Sequence, residues 1–398
     1  MNIVKLSHIL KNGLFKDGDW IESKDQDPKG GIRLIQLADI GDGFFVDKSS
    51  RHINRSTAKR LRCTYLKKGD ILVARMPDPL GRCCIFPLEG YEKFVTAVDV
   101  CIIRPNEKVD SSYLSHMINT PFIRSEIERQ STGTTRKRIT RKRLGNLEIP
   151  LPPLENQKRI ANILDDAAAL RDKTQQLLSE YDQLAQSIFL EMFGDPVLNP
   201  KEWELKKLND LCGIGSSRRV FVDELVESGI PFYRGKEIGA MSTGESINAD
   251  LFITQDHYNN LADATGVPKI GDLLMPSICP DGRILRVSDN EPFYFKDGRV
   301  LWIKVNQSKV NSYYLIFFLR ELFRTSYHNI ASGTTFAELK IVALKKIKTL
   351  IPPIELQNQF ANKIDLIEQQ KELAKKELKE SEDLFNCLLQ KAFKGELV

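Results

Sequence analysis

Cysteine and histidine are sparse in this chain, and their spacing does not suit a metal or redox site. Of 398 residues, seven are cysteine and five are histidine. Cys83 and Cys84 are adjacent and the other cysteines are far apart, which excludes a CxxC pair and a disulfide framework. The histidines are scattered and none belongs to an HExxH motif. We therefore expect them to be structural or surface residues, and we expect no metal.

Long apolar runs are also missing. No segment approaches the roughly 20 apolar residues that a membrane-spanning helix needs. The N-terminus lacks the basic segment, apolar run and cleavage site of a signal peptide, so we expect a cytoplasmic protein. With 41% hydrophobic and 28% charged residues, the chain has a globular composition, and its length suggests two or three domains.

The motifs of common catalytic sites are absent as well. The sequence contains no P-loop, no GxGxxG and no GxSxG. Its two Pro-Pro pairs follow Leu151 and Ile351, which cannot hold an amino group as the polar residue of an Asn-Pro-Pro-Tyr motif does. Asp78 and Asp281 lack the following acid-x-Lys spacing of a nuclease. The sequence therefore favours a protein that is not an enzyme.

What the sequence does contain is a long internal repeat at an offset of 200 residues. Residues 132–135 (Thr-Gly-Thr-Thr) recur at 332–335 as Ser-Gly-Thr-Thr, and the Pro-Pro-x-Glu-x-Gln of 149–157 recurs at 349–357. The same offset relates Asp165 to Asp365. Chance does not maintain one offset over such a span, so the repeat predicts two similar halves, each a globular domain followed by a helix.

Each Pro-Pro pair precedes a heptad pattern that predicts a helix of about 38 residues, or about 57 Å. The first predicted apolar seam comprises Ile160, Ile163, Ala167, Leu170, Thr174, Leu177, Tyr181, Leu184 and Ile188. The second comprises Phe360, Ile364, Ile367, Lys371, Ala374, Leu378, Ser381, Phe385, Leu388 and Ala392. We expect the two helices to pair antiparallel as a coiled coil. Two separate helices that bind other subunits are the alternative.

The fold expected is α/β (α+β), with two similar mixed domains separated by the pair of helices. The predicted boundaries are a first domain at 1–150, a helix at 151–194, a second domain at 195–350 and a helix at 351–398. Apolar runs between turn residues predict strands at 71–74, 98–103, 273–275 and 300–305. Shorter helices are expected at about 111–129 and 312–327.

Basic residues in the predicted loops are candidates for DNA contact. The net charge of +5 permits nucleic-acid binding without demonstrating it. Arginine suits bidentate contact with guanine, and lysine suits phosphate. The candidates outside the densest run are Lys29, Arg33, Arg75, Arg82, Arg218, Arg219, Arg234, Lys236, Arg283 and Arg286.

The densest basic run lies at 136–143 and resembles a phosphate-binding strip. Its cations are Arg136, Lys137, Arg138, Arg141, Lys142 and Arg143. The second half has no such run at the same offset. A solvated charged face is the alternative for this run and for each of the other candidates.

The order of these features resembles the specificity subunits of type I restriction-modification systems. The resemblance covers essentially the whole chain and rests on the Gly-Thr-Thr and Pro-Pro-x-Glu-x-Gln segments, the long helices and the ending Ala-Phe-Lys-Gly-Glu-Leu at 392–397. The chain departs from the family at Asn156 and Leu356, where a second glutamate before the glutamine is common.

This resemblance implies that two target-recognition domains each read one half of a bipartite, asymmetric DNA site. It also implies that the helices set the spacing and dock two modification subunits, which use S-adenosylmethionine to methylate adenine. Two restriction subunits, which use ATP and magnesium, complete such a complex, so no cofactor is expected in this chain. A single-chain methyltransferase or nuclease with fused recognition domains, and a helical scaffold that does not bind DNA, remain alternatives.

Overall fold

The structure, a computed structural model, describes residues 2–77, 79–90, 92–134, 136–333 and 337–397. Several residues named above, Asp78, Thr135, Thr334 and Thr335, therefore lie outside the described residues. The chain divides into two compact units: unit 1 is Met1–Gln176 with Lys375–Val398, and unit 2 is Leu177–Ala374. Each unit thus combines one globular domain with a part of both long helices, whereas the expected division was linear.

Unit 1 builds its domain from two sheets and a strand pair. Its strands are β1 Ile3–Lys5, β2 Leu14–Asp17, β3 Ile32–Ile35, β4 His52–Ile53, β5 Ile71–Ala74, β6 Cys83–Ile85, β7 Phe94–Thr96, β8 Val100–Arg104 and β9 Glu148–Pro150. One sheet has the antiparallel order β2-β8-β5-β6, with Leu72 opposite both Ile102 and Cys84. The other has the order β4-β3-β7, with β3 and β7 parallel, and β1 pairs with β9.

Most helices of unit 1 pack against one face of the four-stranded sheet, and the helix at Arg55–Arg60 packs against the three-stranded sheet through Ala58. The helices are α1 Leu6–Ile9, α2 Arg55–Arg60, α3 Ser111–Ile118, α4 Pro121–Gln130, α5 Arg141–Gly145 and the first part of α6, which spans Leu154–Phe193. Buried Val73 and Ile103 of the sheet share a core with Tyr113 of α3 and Leu164 of α6. The single helix expected at 111–129 is wrong, because Thr120 caps a new helix that Pro121 begins.

Unit 2 repeats this arrangement strand for strand. Its strands are β10 Glu204–Lys207, β11 Cys212–Gly215, β12 Ile230–Tyr233, β13 Phe252–Ile253, β14 Leu273–Pro276, β15 Leu285–Arg286, β16 Tyr294–Phe295, β17 Val300–Val305 and β18 Lys348–Ile351. The sheet orders are β11-β17-β14-β15, β13-β12-β16 and β10-β18. Its helices are α7 Leu208–Leu211, α8 Gly235–Met241, α9 Gln255–Thr265, α10 Ser312–Ile330, α11 Ile341–Lys346 and much of α12, which spans Ile354–Lys394. The predicted two-domain repeat and mixed α/β class are confirmed.

A buried glutamine in the first turn of each long helix fixes that helix to its domain. The Gln157 side chain accepts from Asp110 N (3.0 Å) and donates to Pro152 O (2.8 Å). Gln357 accepts from Asn311 N (2.9 Å) and donates to Pro352 O (2.8 Å). These bonds explain why the Pro-Pro-x-Glu-x-Gln motif occurs twice: the glutamine joins the proline turn to the loop before α3 or α10.

Within each unit the two long helices run antiparallel. In unit 1, the Arg171 guanidinium of α6 lies 5.1 Å from the centre of the Phe385 ring of α12, and Leu164 shares the core with Leu389. In unit 2, Lys371 of α12 forms an ion pair of 2.8 Å with Asp182 of α6, and Phe189 and Phe360 meet edge to face. In both units residue numbers rise along one helix as they fall along the other.

The seam of α12 consists of the residues predicted for it, all of which are buried or half-buried. The predicted seam of α6 is wrong at alternate positions, since Leu170, Leu177 and Leu184 are 45%, 36% and 47% exposed. Ile163 is only half-buried. The positions that face inward instead are Leu164, Arg171, Leu178 and Ala185. On α6, apolar residues occur both at the predicted seam positions and next to them. The heptad period therefore could not show which of the two sets faces the core.

Candidate nucleic-acid interface

Two of the predicted DNA-contacting arginines are buried inside unit 1. Arg75 follows β5, is 4% exposed and forms an ion pair with Asp17 at the end of β2. A charge so far from water needs such a partner. Arg82 is 8% exposed and donates to three backbone carbonyls, those of Leu37 (2.9 Å), Ile40 (2.6 Å) and Pro79 (2.9 Å). The interpretation of these arginines as DNA contacts is corrected: both hold loops of their own domain together.

Two other candidates of unit 1 lie at or just before β3, the central strand of the three-stranded sheet. Arg33 is on β3 and is 20% exposed; its Nη2 lies 2.6 Å from Asp47 and 3.5 Å from Asp39. Lys29 is exposed in the preceding turn, where its backbone N–H is bonded to Asp27. Arg33 therefore holds the loop after β3, and Lys29 remains available to solvent.

In the structure, the basic run at 136–143 contains cations with partners in the domain and cations that are exposed to solvent. Ile139 is fully buried, and Thr140 caps α5 by accepting from Arg143 N (3.3 Å). Three cations of the run have partners: Lys137 with Glu128 (2.7 Å), Arg138 with Asp99 (3.3 Å) and Arg143 with the Gln130 carbonyl (2.7 Å). Arg136, Arg141 and Lys142 are exposed, and none of them forms an ion pair with a residue that the structure describes.

The pair of Arg138 and Asp99 has a charge-reversed counterpart in unit 2. Arg138 and Glu338 occupy matching bridges, to Thr132 in unit 1 and to Ser332 in unit 2. In unit 2 the acid is in the Gly-Thr-Thr loop, and its partner Arg299 lies 3.6 Å away in the segment before β17. The ammonium of Lys340, with a smaller contribution from Arg299, holds the pKa of Glu338 below its ordinary value. This position thus serves to hold the loop in both units.

The candidate DNA-contacting cations of unit 2 also fall into exposed residues and residues with partners in the fold. Arg218, Arg219 and Lys236 are exposed, and the Arg219 guanidinium lies 5.3 Å from the centre of the Phe221 ring. The others have partners in the fold. These are Arg234 with Glu237 and Asp250, Arg283 with Asp281 (2.7 Å), and Arg286 with Ser312 (3.0 Å) and the Tyr313 ring.

A cavity of about 470 Å³ lies in unit 2 between the loop after β11 and the end of β14. Apolar side chains form most of its wall, and three cations stand among them: Arg234, Lys296 and Arg299. Sequence reasoning found Arg234 but missed Lys296 and Arg299. The signal that could have found them is the turn at Asp297 and Gly298, which places a cation on each side just before the predicted strand at 300–305.

Sequence reasoning also missed one large exposed aromatic residue in each domain. Trp20 is 66% exposed and Phe221 is 55% exposed. Both lie in the loop between the first strand of the four-stranded sheet and the first strand of the three-stranded sheet. Single exposed aromatic side chains are ordinary on a protein surface, so neither residue marks a partner surface by itself.

The described residues do not assemble a metal or thiolate site. No group of three or more His, Cys, Asp or Glu side chains suited to a metal lies together in them. Burial raises the pKa of Cys83 and Cys84 to about 12, which keeps these thiols protonated near neutral pH. None of the helices in the described part of the chain is both long and apolar enough to span a membrane.

Comparisons with known proteins agree with the repeat. The family model of the type I restriction modification DNA specificity domain matches residues 1–180 and again 200–382. A putative type I restriction enzyme specificity subunit of Haemophilus influenzae is 28% identical over 69% of this chain and 69% of its own length. The putative MjaX specificity subunit of Methanocaldococcus jannaschii is 24% identical over 94% of this chain and 87% of its own.

Two solved structures share the fold. One belongs to a study of complex assembly and conformational transition in a type I R-M system, with a TM-score of 0.57 and 19% identity, covering 100% of this chain and 98% of that chain. The other is a type I restriction-modification S subunit from M. genitalium, with a TM-score of 0.55 and 18% identity, covering 98% and 96%. With the family model matching both halves, the chain belongs to the type I restriction modification DNA specificity domain family.

Proposed function

We propose that this chain is the DNA-recognition subunit of a type I restriction-modification complex, and that each domain reads one half of a bipartite, asymmetric DNA target. The observation that carries this proposal is one domain fold that occurs twice in the chain with different loop residues. Both units have the same sheet orders and the same buried glutamine. The loop residues differ, however, because the basic run at 136–143 of unit 1 has no counterpart at 336–343 of unit 2, as two different half-sites require.

The exposed cations supply the contacts with the DNA backbone. Phosphate contacts provide most of the affinity and carry no base information. In unit 1 these cations are Lys29, Arg136, Arg141 and Lys142, and in unit 2 they are Arg218, Arg219 and Lys236. The buried Arg75 and Arg82 act indirectly, by holding the loops that present them.

The long helices set the separation of the half-sites and dock the modification subunits. Large apolar side chains that remain exposed on a helix indicate a partner surface. On α6 these are Leu170, Leu177 and Leu184, and on α12 they are Leu366, Leu373 and Leu384. The residues of α6 are spaced by seven, so they follow one stripe of the helix and suit a partner helix.

The chain itself is not an enzyme in this proposal. Two modification subunits, with S-adenosylmethionine, methylate adenine, and two restriction subunits use ATP and magnesium; all act with this chain in the cytoplasm. Incubating the purified chain with DNA and a labelled methyl donor distinguishes a single-chain methyltransferase. We expect no transfer without the modification subunits and transfer with them, whereas transfer by the chain alone would favour the fused enzyme.

A salt-dependent shift of duplex DNA distinguishes a scaffold that does not bind DNA. We expect the shift to be stronger when the modification subunits are present. The decisive test in cells is sequencing of methylated adenines with and without the gene. One bipartite motif should disappear when the gene is removed, and an unchanged methylome would refute the proposal.

A further inference from the structure

The two domains differ sharply at one matching position of their shared frame. Arg75 of unit 1 and Ser277 of unit 2 each follow the central strand of the four-stranded sheet and make the same backbone bonds. The N–H of Arg75 donates to Asp99 O, and that of Ser277 donates to Arg299 O, both at 2.9 Å. Their carbonyls accept from Ile139 N (3.2 Å) and Leu339 N (2.7 Å). These bonds establish that the two positions are equivalent.

The side chains at this position differ in length and in what surrounds them. In unit 1 the long Arg75 side chain is buried in its ion pair with Asp17. In unit 2 the residue is the short Ser277, which forms part of the wall of the cavity of about 470 Å³. The same position of the frame thus belongs to a buried ion pair in unit 1 and to the wall of a largely apolar cavity in unit 2.

The chemistry of the cavity identifies what it would take. Its wall includes Val220, Val222, Leu225 and Ile278, and Val222 is 83% exposed at the mouth. Among the base edges of the major groove, the 5-methyl group of thymine is the apolar feature. The volume exceeds that of a methyl group, so the pyrimidine edge that bears it can enter as well.

The cations of the cavity complement the backbone beside such a base. Arg299 is 66% exposed, and its acidic partner Glu338 is 3.6 Å away. Lys296 is 35% exposed, and Asp297 lies 3.8 Å from its ammonium. Both distances exceed those of a close charge-assisted hydrogen bond, so each cation can turn to a phosphate without losing a tight internal bond.

The geometry points to this cavity as a subsite of unit 2 that takes the 5-methyl group of one thymine in its half-site, while Lys296 and Arg299 bind the neighbouring phosphates. The inference rests on the proposed DNA-recognition function and deepens it. It is drawn for unit 2, since the residue of unit 1 that matches Ser277 is the ion-paired Arg75.

Replacement of single thymines by deoxyuridine tests the apolar contact, since uracil lacks only the methyl group. The full chain, assembled with its modification subunits, is titrated against duplexes with one replacement at a time. We expect one thymine in the half-site of unit 2 to lose about fourfold in affinity, the effect of one buried methyl group. In Val222→Ser this uracil effect should largely vanish. Val342→Ser, which alters a 62% exposed valine elsewhere in unit 2, should retain it.

The phosphate contacts have their own test and matched control. The pair Lys296→Gln and Arg299→Gln should lower the slope of log affinity against log salt by about 1.8, or about 0.9 for each contact. Lys206→Gln with Lys207→Gln, which removes equal charge from the exposed strand β10, should leave the slope nearly unchanged.

The outcomes separate the subsite from the proposed function. If the assembled complex shows no sequence-specific binding, the proposed function fails. If binding is specific but no thymine of that half-site responds to uracil, the subsite is wrong. A uracil effect of equal size in Val222→Ser and the wild type, or an unchanged salt slope in the double variant, would also overturn it.

Discussion

At the residue scale, the repeated glutamine does the same work in both units. Gln157 is 1% exposed and Gln357 is fully buried, and each joins a proline carbonyl to the backbone N–H of the residue before a helix. Removing a buried amide leaves these backbone groups without a partner, and an unpaired buried group is costly. The buried glutamine of the repeated motif therefore contributes to the stability of each unit.

Gln157→Ala should lower the free energy of unfolding by about 2 kcal/mol, the cost of the unsatisfied groups and of the lost packing. Gln357→Ala should cost about the same, because its bonds match. Urea unfolding followed by circular dichroism measures both. Gln175→Ala, at an exposed position of α6, is the control and should change little. Equal small effects at all three positions would contradict the anchoring role.

The basic run now separates into structural and exposed cations. Changing Arg136, Arg141 and Lys142 to glutamine should reduce DNA affinity similarly for all sequences. It should also lower the salt slope by up to about 2.7, at about 0.9 per phosphate contact. A matched control changes Lys5, Lys11 and Lys108, which are also exposed in unit 1, to glutamine. An unchanged slope in the first variant would show that the run is a solvated face or contacts a partner subunit.

Sequence reasoning located the basic loops but could not separate buried cations from exposed ones. The partner of Arg75 is Asp17, and the two are brought together only because β8 lies between β2 and β5. Two of the carbonyls that bind Arg82 come from the loop after β3, and the third comes from its own turn. Such pairings depend on tertiary structure, whereas charge density is visible in sequence. Lys296 and Arg299 were missed because an isolated cation gives no pattern.

At the element scale, the two long helices and their ends were predicted well, but the side of α6 that faces the core was not. α6 ends at Phe193, next to the predicted boundary at 194, and Gly194 follows with φ 81°, a conformation that glycine favours after a helix. The choice between Ile163 and Leu164 is a rotation of 100°, and both are apolar. The repeat itself held the answer, because subtracting 200 from the seam of α12 gives Leu164, Arg171, Leu178 and Ala185.

Leu164, from the observed seam, and Leu170, from the predicted seam, form a matched pair for a test. Leu164→Ala should cost about 2–5 kcal/mol of unfolding free energy, since Leu164 is fully buried in the core of unit 1. Leu170→Ala, at 45% exposure, should cost less than about 1 kcal/mol in the free chain. It should instead weaken binding of the modification subunit, measured by titration calorimetry. A larger stability loss at Leu170 than at Leu164 would restore the seam first predicted.

At the scale of the whole molecule, the repeat was enough to predict two domains of one fold with long helices. The linear boundaries drawn from it did not show that each compact unit takes a part of both helices, although this follows from the antiparallel pairing that the sequence analysis expected. The inner strands of the two four-stranded sheets were found, and β5 and β17 match their predicted ranges. The short strand pairs β1-β9 and β10-β18 were not, because they join segments that are distant in sequence.

If the helices set the half-site separation, lengthening both should lengthen the DNA spacer. Four residues inserted after Gln176 and after Ala374 add about 6 Å, close to two base pairs, with a rotational mismatch of about 30° that DNA twisting can absorb. A seven-residue insertion preserves the heptads but mismatches the rotation by about 120°, so it should impair recognition more. The methylated motif in cells reports both. Activity of the four-residue variant on the original spacer would show that the helices do not set the distance.

The central claim is that the two domains of this chain recognise their DNA half-sites independently. Exchange of a single domain tests this claim most directly. Residues 1–150 are replaced by the equivalent domain of a relative with a known methylation motif, and methylated adenines are sequenced genome-wide. Gln157 of α6 lies outside the exchanged region and accepts from the backbone N–H at position 110, so it keeps the graft on α6. We predict that one half of the bipartite motif changes to that of the donor while the other half and its spacing stay the same. A motif that changes in both halves, or in neither, would contradict the account.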